Sequence, residues 1–111
     1  MQRMARPTKD ADGLARFGEP GVLVLLSLAD GPKHGYAITT DVREQTGVSL
    51  GPGTLYGSLS TLAERGLVTA LPSDDRRRPY EITELGRSAL AEQLATWRAV
   101  TRVGAARLGI A

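Results

Sequence analysis

Residues 51–68 read GPGTLYGSLSTLAERGLV, which sets three glycines, a proline, a threonine, a tyrosine and a serine at the opening of a segment with helical spacing. Leu55, Leu59 and Leu62 recur at i, i+4 and i+7 and make one apolar stripe. With that stripe turned inward, Gly53, Tyr56, Gly57 and Ser60 lie on the outward side. Pro52 suits the first helical position after a Gly51 N-cap, and the unpaired N–H groups of such a first turn favour an anion. Small residues there let the helix end approach a phosphate-lined groove. The hydroxyls of Thr54 and Ser60 can bond phosphates or base edges, and the Tyr56 ring can do both. The alternative is packing alone, with Tyr56 lying on a neighbouring hairpin and the glycines shaping a turn.

Arg76, Arg77 and Arg78 form the second group, inside PSDDRRR at 72–78. Arginine suits phosphate because its fork donates two parallel hydrogen bonds. A charge run is ordinarily a solvated face, and Asp74 and Asp75 partly cancel this one. A position beside the tip of a hairpin, just after a helix-turn-helix, favours the functional reading. His34, the only histidine, sits at a helix start and reads as a capping or packing residue rather than a metal ligand. The sequence holds no cysteine, which excludes disulfides, thiolate metal sites and cysteine nucleophiles. No carboxylate pair, nucleophile–base set or phosphate-binding loop stands in a catalytic setting. The sequence therefore predicts no enzyme, no metal and no cofactor.

These residues need elements to position them. Residues 1–18 are polar and mixed in charge, and read as a flexible arm with a short helical turn around Leu14 to Phe17. Residues 20–29 read as a helix that is apolar nearly all round, stopped by Asp-Gly-Pro at 30–32. The same VLVLLSLA run, preceded by Arg3, Arg6, Lys9 and Arg16 and followed by a small-x-small pattern at Ser27 and Ala29, has the outline of a signal peptide. Asp10, Asp12 and Glu19 and the shortness of the run argue against it, and the run is too short to span a bilayer. A second helix is expected at 34–45, with Tyr36, Ile38 and Val42 in the core and Thr46-Gly47 closing it. An extended piece at 48–50 leads into the stretch at 51–68, where Gly66 sits where a left-handed cap belongs. Strands are expected at 67–71 and 79–82, and Thr83 caps a last helix at 84–108.

The order helix, helix, helix, hairpin, helix makes a winged helix-turn-helix, a mainly α fold with a small β-hairpin and a long C-terminal helix. The 111 residues suffice for one core, divided into the arm at 1–18, a winged unit at 19–83 and a dimerisation helix and tail at 84–111. A formal charge of +2 points to no strong polyanion partner by itself, so the placement of charge decides. The winged unit can cover only one side of the first helix. Val22 and Leu26 on that helix, with the stripe of Leu90, Leu94, Trp97 and Thr101 on the last, are therefore expected to meet a second copy. Leu108 and Gly104 continue the stripe. If there is an effector, it is expected to be apolar and planar and to bind beside Trp97 at the dimer centre; the alternative is a filled core in which Trp97 only holds the dimer together.

Three segments carry a family likeness: DGPKHGYAI at 30–38, GPGTLYGSLSTLAERGLV at 51–68 and RRPYEITELGRSAL at 77–90. Together they resemble the PadR-like transcriptional regulators, over about residues 20–97. The resemblance implies a homodimeric winged-helix protein that binds double-stranded DNA, usually as a repressor, and that in some members lets go on binding a small hydrophobic or aromatic molecule. It maps the DNA role onto Pro52, Gly53, Thr54, Leu55 and Tyr56, with Leu55 structural. Family members often carry Ser where Gly51 stands and Pro where Gly57 stands. A cytoplasmic, nucleoid-associated regulator is the expectation. The alternative is a winged-helix scaffold for protein interaction without DNA binding, which the small net charge favours.

Overall fold

The computed structural model describes residues 19–74 and 76–110. The arm at 1–18, with its expected turn near Leu14, lies outside them. The first helix, α1 (Glu19–Leu28), takes Pro20 in its first turn, where the missing N–H costs nothing. Its Leu23, Val24, Leu25 and Leu28 are buried. It packs against the second, third and last helices and the last strand. The expectation that its own domain covers only one side is corrected: Leu26, 38% exposed, and half-buried Val22 are what remains uncovered.

The C-terminal end of α1 is held by cations, which suits the negative end of a helix dipole. The Lys33 ammonium donates to the Ser27 carbonyl and to the Asp30 carboxylate. Arg87 Nη1 donates to the Ala29 carbonyl at 3.2 Å. The hydrogen bond from Lys33, and then its charge, holds the Asp30 carboxyl below the usual carboxylate range. Buried Ser27 donates through Oγ to Asp41 Oδ2 at 2.7 Å, which ties α1 to the second helix. Among the described residues, no helix is long and apolar enough to cross a membrane.

A two-residue strand, β1 (Lys33–His34), precedes α2 (Gly35–Thr46). The sequence pattern extends the helix back to His34 and misses the strand, which is too short to show a period of two. Tyr36, expected in the core, is 72% exposed. Ile38 and Val42 set the buried face, and a residue two positions before Ile38 points about 200° away from it. Gly47 closes α2 at φ 79°, in the left-handed region.

Helix α3 (Pro52–Glu64) buries Leu55, Leu59 and Leu62, as the spacing predicts. Gly66 follows at φ 77°. The wing comprises β2 (Val68–Ala70) and β3 (Pro79–Ile82), the first shorter than expected by a residue at each end. The sheet has three strands rather than two, in the order β1-β3-β2, all antiparallel. Lys33 faces Tyr80 and His34 faces Pro79, while Val68 faces Ile82.

The last helix, α4 (Glu84–Leu108), is capped by Thr83, whose hydroxyl accepts from the Gly86 N–H at 3.0 Å and donates to the Gly66 carbonyl at 2.7 Å. One side chain thus joins the end of α3 to the start of α4. Gly86 lets the two elements touch: a Cβ there would collide with the Leu67 carbonyl oxygen and lie 2.8 Å from Ile82 Cγ1. The neighbouring atom is backbone and cannot turn aside. Gly86→Ala is therefore expected to lower stability by at least about 2 kcal/mol in denaturant unfolding. Unchanged stability would contradict this packing.

Candidate nucleic-acid interface

The mouth of α3 is built from local rules. Gly51 takes an extended N-cap conformation without a side-chain cap, and Pro52 sets the first turn. The Leu55 N–H pairs with the Gly51 carbonyl at 2.9 Å, while the N–H groups before it have no helical acceptor. No acidic residue stands in the first turn, so this end remains attractive to an anion.

With Leu55, Leu59 and Leu62 buried, Gly53, Gly57 and Ser60 form an exposed ridge on the opposite face. Thr54 is exposed on one flank and Tyr56 on the other. Among the described residues, a Cβ at 53 or 57 would meet nothing within 4 Å, and neither backbone has a positive φ. The fold thus requires glycine at neither position, although each weakens the helix by about 1 kcal/mol relative to alanine. What the bare ridge provides is room for something outside the chain.

Tyr56 is 52% exposed, and the rest of its ring is tucked against α2. Its phenol end lies over Gly35, where an added Cβ would stand 2.9 Å from Cζ and nearer still to the oxygen. The ring therefore rests on the first residue of α2. Tyr36 is exposed one residue further along the same edge. It is a polar aromatic that sequence reasoning sends to the core, and the signal against that placement is its mismatch with the Ile38–Val42 face.

Arg76, Arg77 and Arg78 are all exposed on the returning side of the wing loop. The Ser73 hydroxyl donates to the Arg77 carbonyl at 3.3 Å, and the Leu71 N–H to the Pro79 carbonyl at 2.8 Å, which carries the ladder into the loop. Because His34 pairs with Pro79, the sheet brings Arg78 to within a few residues of the α3 mouth. His34 is the N-cap residue of α2 but makes no side-chain capping hydrogen bond, and its Nδ1 is buried without a hydrogen-bond partner among the described residues.

The residues expected at a dimer seam separate in the structure. Leu90 is buried in its own chain's core, because the first turns of α4 lie against α1; it is not available to a partner, contrary to the sequence reading. Gly86 and Leu90 are the buried residues of α4. Beyond them the helix projects, with Leu94 41% exposed, Trp97 half-buried, and Thr101, Val103 and Leu108 exposed.

Comparison with known proteins agrees with this architecture. A profile of the transcriptional regulator PadR-like family matches residues 22–92. A PadR family transcription regulator from Clostridium difficile R20291 is similar in structure, with a TM-score of 0.75 at 26% identity, over 82% of this chain and 99% of that one. A PadR family transcriptional regulator from Eggerthella lenta DSM 2243 gives a TM-score of 0.69 at 25% identity, over 89% and 91% of the two chains. An uncharacterized 37.1 kDa protein in transposon TN4556 of Streptomyces fradiae is 44% identical over 78 residues, which are 70% of this chain and 23% of that protein. The chain thus spans about a quarter of that relative's length. Its fold, its winged helix-turn-helix and the match over residues 22–92 place the chain in the PadR-like family of transcriptional regulators.

Proposed function

We propose that the chain is a sequence-specific DNA-binding repressor that acts in the cytoplasm as a homodimer. The observation that carries this reading is the bare ridge of α3 beside the wing arginines. Among the described residues no neighbour requires glycine at 53 or 57, and the pairing of His34 with Pro79 holds Arg78 near Tyr56. In this reading Pro52, Gly53, Thr54, Tyr56 and Ser60 enter the major groove, and Arg76, Arg77 and Arg78 hold the neighbouring backbone.

The two groups contribute differently. Phosphate contacts give affinity for any sequence, whereas base contacts discriminate. Changing Arg76, Arg77 and Arg78 together to Ala is expected to weaken binding to all duplexes alike. The dependence of log affinity on log salt should also flatten by about one unit for each phosphate that is no longer held. A variant that keeps the parent's affinity and salt slope contradicts the role of the wing.

Dimerisation is supported by α4, which carries Leu94, Trp97, Val103 and Leu108 past the end of its own domain. Apolar side chains on a projecting helix are covered at low cost by a symmetric copy, with Thr101, and with Val22 and Leu26 of α1, at its margin. Sedimentation at micromolar concentration is expected to give about twice the 11.8 kDa chain mass. A monomer under those conditions contradicts this assignment.

An effector, in the same reading, is a small planar apolar molecule stacked on Trp97 between the two subunits. Within one chain neither the groove of about 660 Å³ between α1, α3 and α4 nor that of about 540 Å³ between α1 and α2 is lined by Trp97. In this reading the second copy closes a slot at Trp97. Because Thr83 caps α4 directly after the wing, a changed crossing of the two α4 helices would alter the spacing of the wings. Planar aromatic compounds are expected to quench the fluorescence of this single tryptophan and to lower DNA affinity together. No quenching across a varied panel leaves Trp97 a packing residue.

A further inference from the structure

We propose that Gly35 is a positioning residue for recognition: it seats the Tyr56 ring at the start of α2 and so fixes the mouth of α3 relative to the wing. The inference rests on the reading of Tyr56 as a DNA contact and adds a residue that never reaches the duplex. Glycine is a poor helix former, yet it opens α2. Its torsions do not demand it, since Gly35 is not among the positive-φ glycines. Space does. A Cβ at this buried position would stand 2.9 Å from Tyr56 Cζ, closer to the phenol oxygen, and 3.2 Å from Leu55 Cδ2.

The two neighbouring side chains answer such a methyl group differently. The Leu55 methyl is the end of a flexible side chain and can give by a few tenths of an ångström. The phenol ring is rigid and must move as a whole. Helix α3 cannot back away, because Leu55 and Leu59 are packed in the core. The ring is then displaced from its seat, and its half-exposed face no longer holds a fixed direction.

The seat also has a fixed relation to the wing. Gly35 directly follows β1, whose His34 faces Pro79 in the sheet, and Arg78 precedes Pro79. Between Tyr56 and Arg78 there are thus one packing contact, one peptide step, one strand pairing and one further peptide step. A base-reading ring and a phosphate-holding arginine are kept at a set separation by this short path. Loss of the seat frees the ring while leaving the arginines on their strand.

The test compares two duplexes: a genomic fragment enriched by the wild-type protein, and a scrambled duplex of the same length and composition. Gly35→Ala is expected to cut the preference for the enriched fragment at least about tenfold, the scale of a single base contact. Affinity for the scrambled duplex and its salt slope should stay at the parent's values. Tyr56→Ala should give the same loss, and Gly35→Ala added to it no further loss. Tyr56→Phe combined with Gly35→Ala should recover part of the preference, because the atom nearest the added methyl is the hydroxyl. An intact preference in Tyr56→Ala contradicts the reading of Tyr56 itself, and this proposal with it. If Tyr56→Ala is impaired, then an intact preference in Gly35→Ala, or losses that multiply in the double variant, overturns the role of Gly35 alone. Should Gly35→Ala fail to fold, its pair with Tyr56→Ala has room for the methyl group. A preference below that of Tyr56→Ala in this pair also overturns the proposal.

Discussion

Val24 and Leu28 of α1 have no exposed surface, and the elements of the winged domain are placed by how they lie against that helix. Burying side chains of this size contributes about 1.5–3 kcal/mol each, so a ten-residue helix without a polar face organises the chain around itself. Helix α3 meets it with Leu55, Leu59 and Leu62, α2 with Ile38 and Val42, α4 with Leu90, and β3 with Ile82. Because these buried stripes face inward, the polar and glycine-rich faces of the same helices are turned out. The position of the proposed recognition surface follows from the core and needs no separate device.

The parts of the fold legible in the sequence are those that depend on neighbours in the chain. Pro52 after Gly51, the leucines of α3, Gly47 and Gly66 in left-handed caps and Thr83 at the head of α4 each follow from local rules, and each stands where the sequence places it. The parts that were not legible depend on contacts distant in the chain. Strand β1 exists because β3 offers it a ladder, and two residues carry no periodic signal of their own. Leu90 falls on the same stripe as Leu94 and Trp97, yet only the position of α1 decides that Leu90 is buried while Leu94 is not. Tyr36 is misplaced by pattern alone because an aromatic near an apolar stripe resembles a core residue until the Ile38–Val42 face is fixed.

The glycines separate into kinds that composition cannot distinguish. Gly35 and Gly86 are required by space, since a Cβ would strike Tyr56 in the first case and the Leu67 backbone in the second. Among the described residues, nothing requires glycine at 53 or 57. In the proposed reading, this exposed ridge and the N-terminus beside it, which has no side-chain cap, are where a partner approaches closely. The family match gives that partner its class, and the 44% identity with a segment of a longer Streptomyces protein shows that a closely similar unit stands within a larger chain.

Amide hydrogen exchange of the free protein and of its complex with an enriched duplex tests the central claim most directly, because it reports on each segment separately. DNA is expected to slow exchange at the mouth of α3, around Gly53 to Gly57, and in the wing loop around Arg76 to Arg78, and to leave the far end of α4 unchanged. Slowed exchange confined to α4, with α3 and the wing loop unaffected, would contradict the account.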